Sequence, residues 1–204
     1  MTIRSAVIQD IATIHAAGLA TVVYYYFDFR DDKKQDCFGL LSSLIVQLSG
    51  QSDSCYEILS RLYLNSARGT RKPNISTLKE CLTDMLSLPG QAPTYVIVDA
   101  LDECPNSSGT PSKREEVLEL IEELVGLKLL NVHLCVASRP EMDIRMTLEP
   151  LTSLRISLDD EIGQKEDIIE YIKYVVHSDK TMRTWTEENK QLVINTLSDK
   201  ADGM

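Results

Sequence analysis

The stretch Thr94 to Pro105, TYVIVDALDECP, constrains this chain more than any other. Tyr95 to Asp99 form a short apolar run that ends on a carboxylate, and Asp102 and Glu103 follow at once. Val, Ile and Tyr without alternation suit a strand buried on both faces of a parallel sheet. In an open α/β sheet, ligands sit beyond the carboxyl ends of the strands. Three acidic side chains therefore stand where a metal ion and phosphates lie in such a fold. The plainer reading of the same residues is a buried strand that runs into an acidic surface loop.

The flanking chain supplies the rest of an α/β pattern. Ile3 to Ile14 reads as an amphipathic helix, with Ile3, Val7, Ile8, Ile11 and Ile14 on one face and Gly18 as its stop. Ala20 to Phe29 is β-branched and aromatic, hence a strand. Its Tyr24, Tyr25 and Tyr26 fit a buried strand better than a platform for stacking bases. A charged loop, Arg30 to Asp36, follows. Helices are expected over Cys37–Leu48, Cys55–Leu64 and Ile75–Leu88, the last capped by Asn74 or Ser76. Ser112 with Glu115 three residues on has the spacing of a capping box, opening a helix over Lys113–Leu127. Val132 to Ala137 is a strand running into Ser138-Arg139-Pro140. The residue before a proline is held extended, so Arg139 projects from a strand end. Leu154 to Leu158 reads as a last short strand. Strands alternating with helices imply a parallel sheet with helical crossovers. Beyond it, Gln164–His177 and Glu187–Leu197 read as two helices with no strand between them. The expected division is an α/β core over residues 1–158 and the start of a helical lid subdomain over 159–204.

Composition narrows the function. The net charge is -10, with 31 acidic against 21 basic side chains, which argues against a nucleic-acid partner. Any bound polyphosphate needs local cations, because the overall field repels it. Cys37, Cys55, Cys81, Cys104 and Cys135 are scattered and odd in number, which suits free thiols in a reducing compartment. No pair has zinc-ligand spacing, and His15, His133 and His177 stand alone. No apolar run approaches the roughly 18 residues of a membrane span. The N-terminus carries no secretory pattern, so the expected location is the cytoplasm.

The acidic segment fits a nucleoside triphosphatase better than other carboxylate chemistries. Asp99 would hold a magnesium ion, Asp102 would support that shell, and Glu103 would orient or activate an attacking water. Arg139, from the end of a neighbouring strand, would sense the terminal phosphate and offset its charge. Phosphatases of the haloacid-dehalogenase type need Asp-x-Asp, whereas Asp99 and Asp102 are three apart. A glycosidase pair has no aromatic platform beside it, since the single Trp, Trp185, lies far downstream.

On these residues the chain resembles the NACHT-type STAND nucleoside triphosphatases, in the nephrocystin-like group abundant in fungi. TYVIVDALDEC resembles their Walker B segment and LCVASRPE their sensor 1 strand. YYYFDFRDDKKQD resembles their second strand and following loop, SAVIQDI the helix after the phosphate-binding loop, and ADGM the start of a helix beyond the core. The resemblance covers nearly the whole chain. It implies a three-layer parallel-sheet P-loop core, ATP and magnesium as ligands, and a nucleotide-driven switch between closed and oligomeric forms. It makes Asp99 the magnesium aspartate, Asp102 and Glu103 the acidic pair, and Arg139 the sensor that contacts nucleotide.

The sequence departs from that family in one respect. A first strand and a G-x-x-x-x-G-K-[S/T] loop should precede the helix containing Ser5 to Ile11, and the 204 residues hold neither. Absent with them are the backbone N–H groups that cradle phosphate, the lysine, and the hydroxyl that ligands magnesium. The expectation is an incomplete gene model or a truncated isoform. The missing strand is expected to lie between the Asp99 and Arg139 strands, unless those two pair directly. Two functions follow. One is a partial nucleotide-binding domain of a signal-transduction ATPase that does not bind or hydrolyse ATP alone. The other is a non-enzymatic module or remnant that self-associates or pairs with other NACHT proteins.

Overall fold

The computed structural model describes residues 18–66, 68–106, 111–157 and 162–200. The expected first helix, over Ile3–Ile14, and the ADGM end lie outside them. Two compact units divide the chain, Met1–Thr152 and Ser153–Met204.

The first unit is built on a parallel sheet of three strands among the described residues: β1 (Thr21–Tyr26), β2 (Thr94–Asp99) and β3 (Val132–Val136), in that spatial order. Thr21 stands opposite Thr94, and Thr94 opposite Val132, so the three strands run in step. β2 and β3 pair directly. This is the direct pairing that the sequence leaves open as the alternative to a strand between them. The ladder continues past the strand ends, where the Ala137 N–H donates to Val98 O at 2.9 Å. Two expectations are corrected. The first strand stops at Tyr26, not Phe29, because Asp28 turns the chain by accepting from the Arg30 N–H at 2.9 Å. Residues 154–157 form no strand; Leu154 and Ile156 are exposed and find no ladder partner among the described residues.

Helices α1 (Cys37–Ser49), α2 (Asp53–Asn65), α3 (Ile75–Leu86) and α4 (Lys113–Gly126) build the core against one face of the sheet. Their starts are set by side-chain caps from Asp36, Ser52, Asn74 and Ser112, each accepting from a first-turn N–H. The capping box of Ser112 and Glu115 forms as its spacing predicts. Alternation along the strands turns Val23, Tyr25, Val96 and Val98 into this core. They meet Leu40, Leu41, Leu44 and Ile45 of α1, Met85 of α3 and Leu120 of α4. On the other face, Tyr24, His133 and Cys135 are exposed.

At the outer edge of β1, two glutamine side chains, Gln47 of α1 and Gln51 just past its end, stand in for a strand. The Val22 N–H and C=O bond the amide of Gln51 at 3.3 and 2.8 Å. The Tyr24 N–H and C=O bond the amide of Gln47 at 3.0 and 2.7 Å. A short helix, α5 (Met142–Leu148), closes the first unit.

The second unit contains α6 (Ile162–Ser178) and α7 (Glu187–Lys200), packed on each other with Val176 and Ile194 buried. Among the described residues no helix is long and apolar enough to cross a membrane.

Candidate functional site

The acidic loop owes its shape to one residue. Ala100, directly after Asp99, takes the left-handed conformation at φ 54°, ψ 45°. A residue with a Cβ rarely stays there, so the surrounding bonds hold it. The bend turns Leu101–Glu103 into a 3-10 turn whose Leu101 is fully buried. Leu101 anchors the turn in the core while Asp102 and Glu103 remain at the carboxyl edge of the sheet.

The three carboxylates then point to different partners. Asp99 Oδ1 accepts from the Ala100 N–H at 2.9 Å. Asp102 turns toward β3: its Oδ1 accepts from the Arg139 N–H at 3.1 Å, and its Oδ2 lies 3.4 Å from Arg139 Nε. Glu103 turns toward β1, where its Oε2 accepts from the Phe29 N–H at 3.2 Å. Asp102 and Arg139 are thus brought together from the loops that follow two adjacent strands. Asp99 and Glu103 are held at the same edge by other bonds. Among the described residues no three His, Cys, Asp or Glu side chains close into a metal cage. That donor set still fits magnesium, which keeps several waters and takes one or two carboxylates plus phosphate oxygens. Asp99 would be the protein's carboxylate to such an ion.

The Asp102–Arg139 pair is lopsided: the guanidinium side chain is 84% exposed and the carboxylate 11%. With its guanidinium in solvent, Arg139 can swing toward an anion, at the cost of taking this partner from the largely buried Asp102 carboxylate. A second cation stands at the end of β1. Arg30 grips Asp28 through Nε at 3.0 Å and Nη2 at 3.2 Å, and this holds the Asp28 carboxyl below its usual range. Glu103 also favours the charge on Arg30.

Sequence reasoning passed over Arg114, which is 4% exposed. Its Nε donates to Cys104 O at 2.9 Å and its Nη2 to Asp102 O at 2.6 Å. Its Nη1 donates to Glu141 and to Asp143, the latter at 3.2 Å. Burial opposes its charge, but the two carboxylates outweigh that and raise its pKa. One signal could have exposed it. A cation in the first turn of a helix opposes the macrodipole, so it needs another reason to be there. Gln35 was missed as well. Its side-chain amide donates to Phe29 O at 2.7 Å and its backbone carbonyl accepts from the Cys104 thiol at 3.3 Å, tying the β1 loop to the acidic loop.

A family model described as nephrocystin 3, N-terminal, matches residues 2–139, a span that takes in β1, β2, β3 and the acidic loop. No curated protein and no solved structure matches the chain.

Proposed function

The chain belongs to the nephrocystin 3 N-terminal family, and on that premise we propose that it carries the acidic half of a NACHT-type nucleotide site. Asp99 to Glu103 are its Walker B segment and Arg139 its sensor 1 residue. Asp99 is the ligand for magnesium, Glu103 orients the attacking water, Asp102 supports both, and Arg139 meets the terminal phosphate of ATP. A bound magnesium ion would offset the charge of the β- and γ-phosphates. The parent activity is ATP hydrolysis coupled to a signalling switch in the cytoplasm. The observation that carries this reading is the placement of Asp99, Asp102, Glu103 and Arg139 at one carboxyl edge of a parallel sheet, with Asp102 and Arg139 paired between the loops that follow two adjacent strands.

The 204 residues contain no G-x-x-x-x-G-K-[S/T] loop. Three carboxylates facing a polyphosphate, in a chain of charge -10, leave nothing to cradle it. This chain by itself therefore does not hold ATP. Titration with Mg·ATP, followed by calorimetry, should show no saturable binding in the micromolar range; micromolar affinity would sink that statement. Fusing a strand and a Gly-rich loop with its lysine upstream should restore binding. In that fusion Glu103→Gln should slow hydrolysis by about 100-fold or more while leaving the dissociation constant nearly unchanged. If no such fusion binds, the alternative stands: a non-enzymatic module that pairs with its own kind or with other NACHT proteins.

A further inference from the structure

We infer that Arg114 is the positioning residue of this site, the buried strut that holds the acidic loop in register with the segment carrying Arg139. The inference rests on the reading of Asp102 and Glu103 given above for its functional meaning, but its geometry stands apart from it.

The guanidinium offers five N–H donors in a rigid fork. Here Nε, Nη1 and Nη2 are all engaged, and the acceptors come from two different loops. Cys104 O and Asp102 O belong to the turn after β2. Glu141 and Asp143 belong to the start of α5, just past Ser138-Arg139-Pro140. A single side chain on α4 therefore fixes the two loops that meet in the Asp102–Arg139 pair. Asn106 adds a parallel link, donating to Asp143 at 2.9 Å and accepting from Ser112 Oγ at 3.1 Å. The guanidinium of the direct pair stands in solvent, 84% exposed; the guanidinium of the strut behind it is buried and is held by charge-assisted bonds to both loops. The relative placement of Asp102 and Arg139 is therefore set from beneath rather than by their own contact. Lysine cannot substitute, because an ammonium is a point charge that cannot reach backbone carbonyls and two carboxylates in different directions at once.

This differs from a general structural role in what it moves. The test is hydrogen exchange of individual amides, read by NMR on the full chain without nucleotide. The reporters are the Arg139 N–H, which donates to Asp102, and the Phe29 N–H, which donates to Glu103. The controls are the β2 ladder amides from Tyr95 to Val98. In Arg114→Met, of similar bulk and no charge, both reporters should exchange about tenfold faster while the controls keep their rates. Arg114→Lys should fall between wild type and Met. Equal acceleration at reporters and controls means general destabilisation and overturns the inference, as does no change at the reporters. Should Arg114→Met fail to fold, Glu141→Gln with Asp143→Asn decides, because it loosens only the α5 side of the strut. Selective acceleration at Arg139 is then expected, and uniform or absent acceleration overturns the inference. None of these readings involves ATP. Failure of the nucleotide proposal would leave an Arg114 result intact, and failure of the strut would leave Mg·ATP binding by the fusion untouched.

Discussion

Cys37, Cys81 and Cys104 are buried, and burial dominates their chemistry. It pushes the Cys37 and Cys104 thiols up to about 12 and Cys81 to about 11, from an ordinary value of 9.0. The sign of the linkage follows. Below 9.0 both folded and unfolded chains keep these thiols protonated and the stabilisation is complete. Above it the unfolded chain ionises while the folded chain does not, so stability falls as pH rises toward the folded values. Between about pH 8 and pH 10 each such thiol should remove on the order of 1 kcal/mol. Urea unfolding at the two pH values checks this, and Cys37→Ala should flatten the slope by its share. An unchanged slope in that variant would rule out a buried, protonated Cys37. Free thiols are legible in the sequence from their number and spacing, and all five are free. Asp99, Asp102, Glu103 and Arg139 are legible because each sits next to a strand end that its own neighbours reveal. Arg114 is not. Two of its acceptors are backbone carbonyls 10 and 12 residues away, and the others lie 27 and 29 residues on. No local pattern encodes contacts of that span.

Elements were legible where a cap or a period announces them. Asn74 and Ser112 start helices where the sequence places candidate caps. Leu154 to Ile156 carries the period of a strand without forming one, since a strand exists only through its partner. The edge of β1 is a subtler case. Gln47 in α1 and Gln51 just past its end read as ordinary surface residues, yet they satisfy four backbone groups of β1. An open strand edge is a template for another chain, and these amides occupy it. Replacing both by alanine should cost about 1 to 2 kcal/mol in total, because water takes over part of the bonding. It should also produce concentration-dependent association visible by light scattering. A double variant that unfolds like wild type and stays monodisperse would show that the amides do not guard the edge. Gly39 adds a constraint on the same helix: a Cβ there would meet Lys33 O at 2.5 Å. The loop after β1 is therefore packed against the start of α1 too tightly for any side chain.

At the scale of the whole molecule, the change from alternating strands and helices to helices alone is visible in the sequence. The order of strands is not, because spacing along the chain does not say which strands are neighbours. Whether the Asp99 and Arg139 strands pair directly is left open by the sequence, and they do pair. The core tells more about independence. Among the described residues every member of the main cluster, with the partly buried residues around it, lies between Val23 and Leu148. A unit with an apolar core of its own is expected to unfold cooperatively by itself. Residues 153–157 carry no helix or strand, with Leu154 75% and Ile156 66% exposed. Exposed backbone without ladder bonds is where proteases cut first. Thermolysin, which cleaves before large apolar residues, should nick the chain at Leu154 or Ile156 ahead of other positions, as intact mass will report. The fragment ending at Ser153 or Arg155 should then melt in one transition within about 3 °C of the first unit in the full chain, a shift worth about 1 kcal/mol in a domain of this size. A fragment that is unfolded by circular dichroism would mean that residues beyond Thr152 complete the first core, and the division into two units would have to be redrawn.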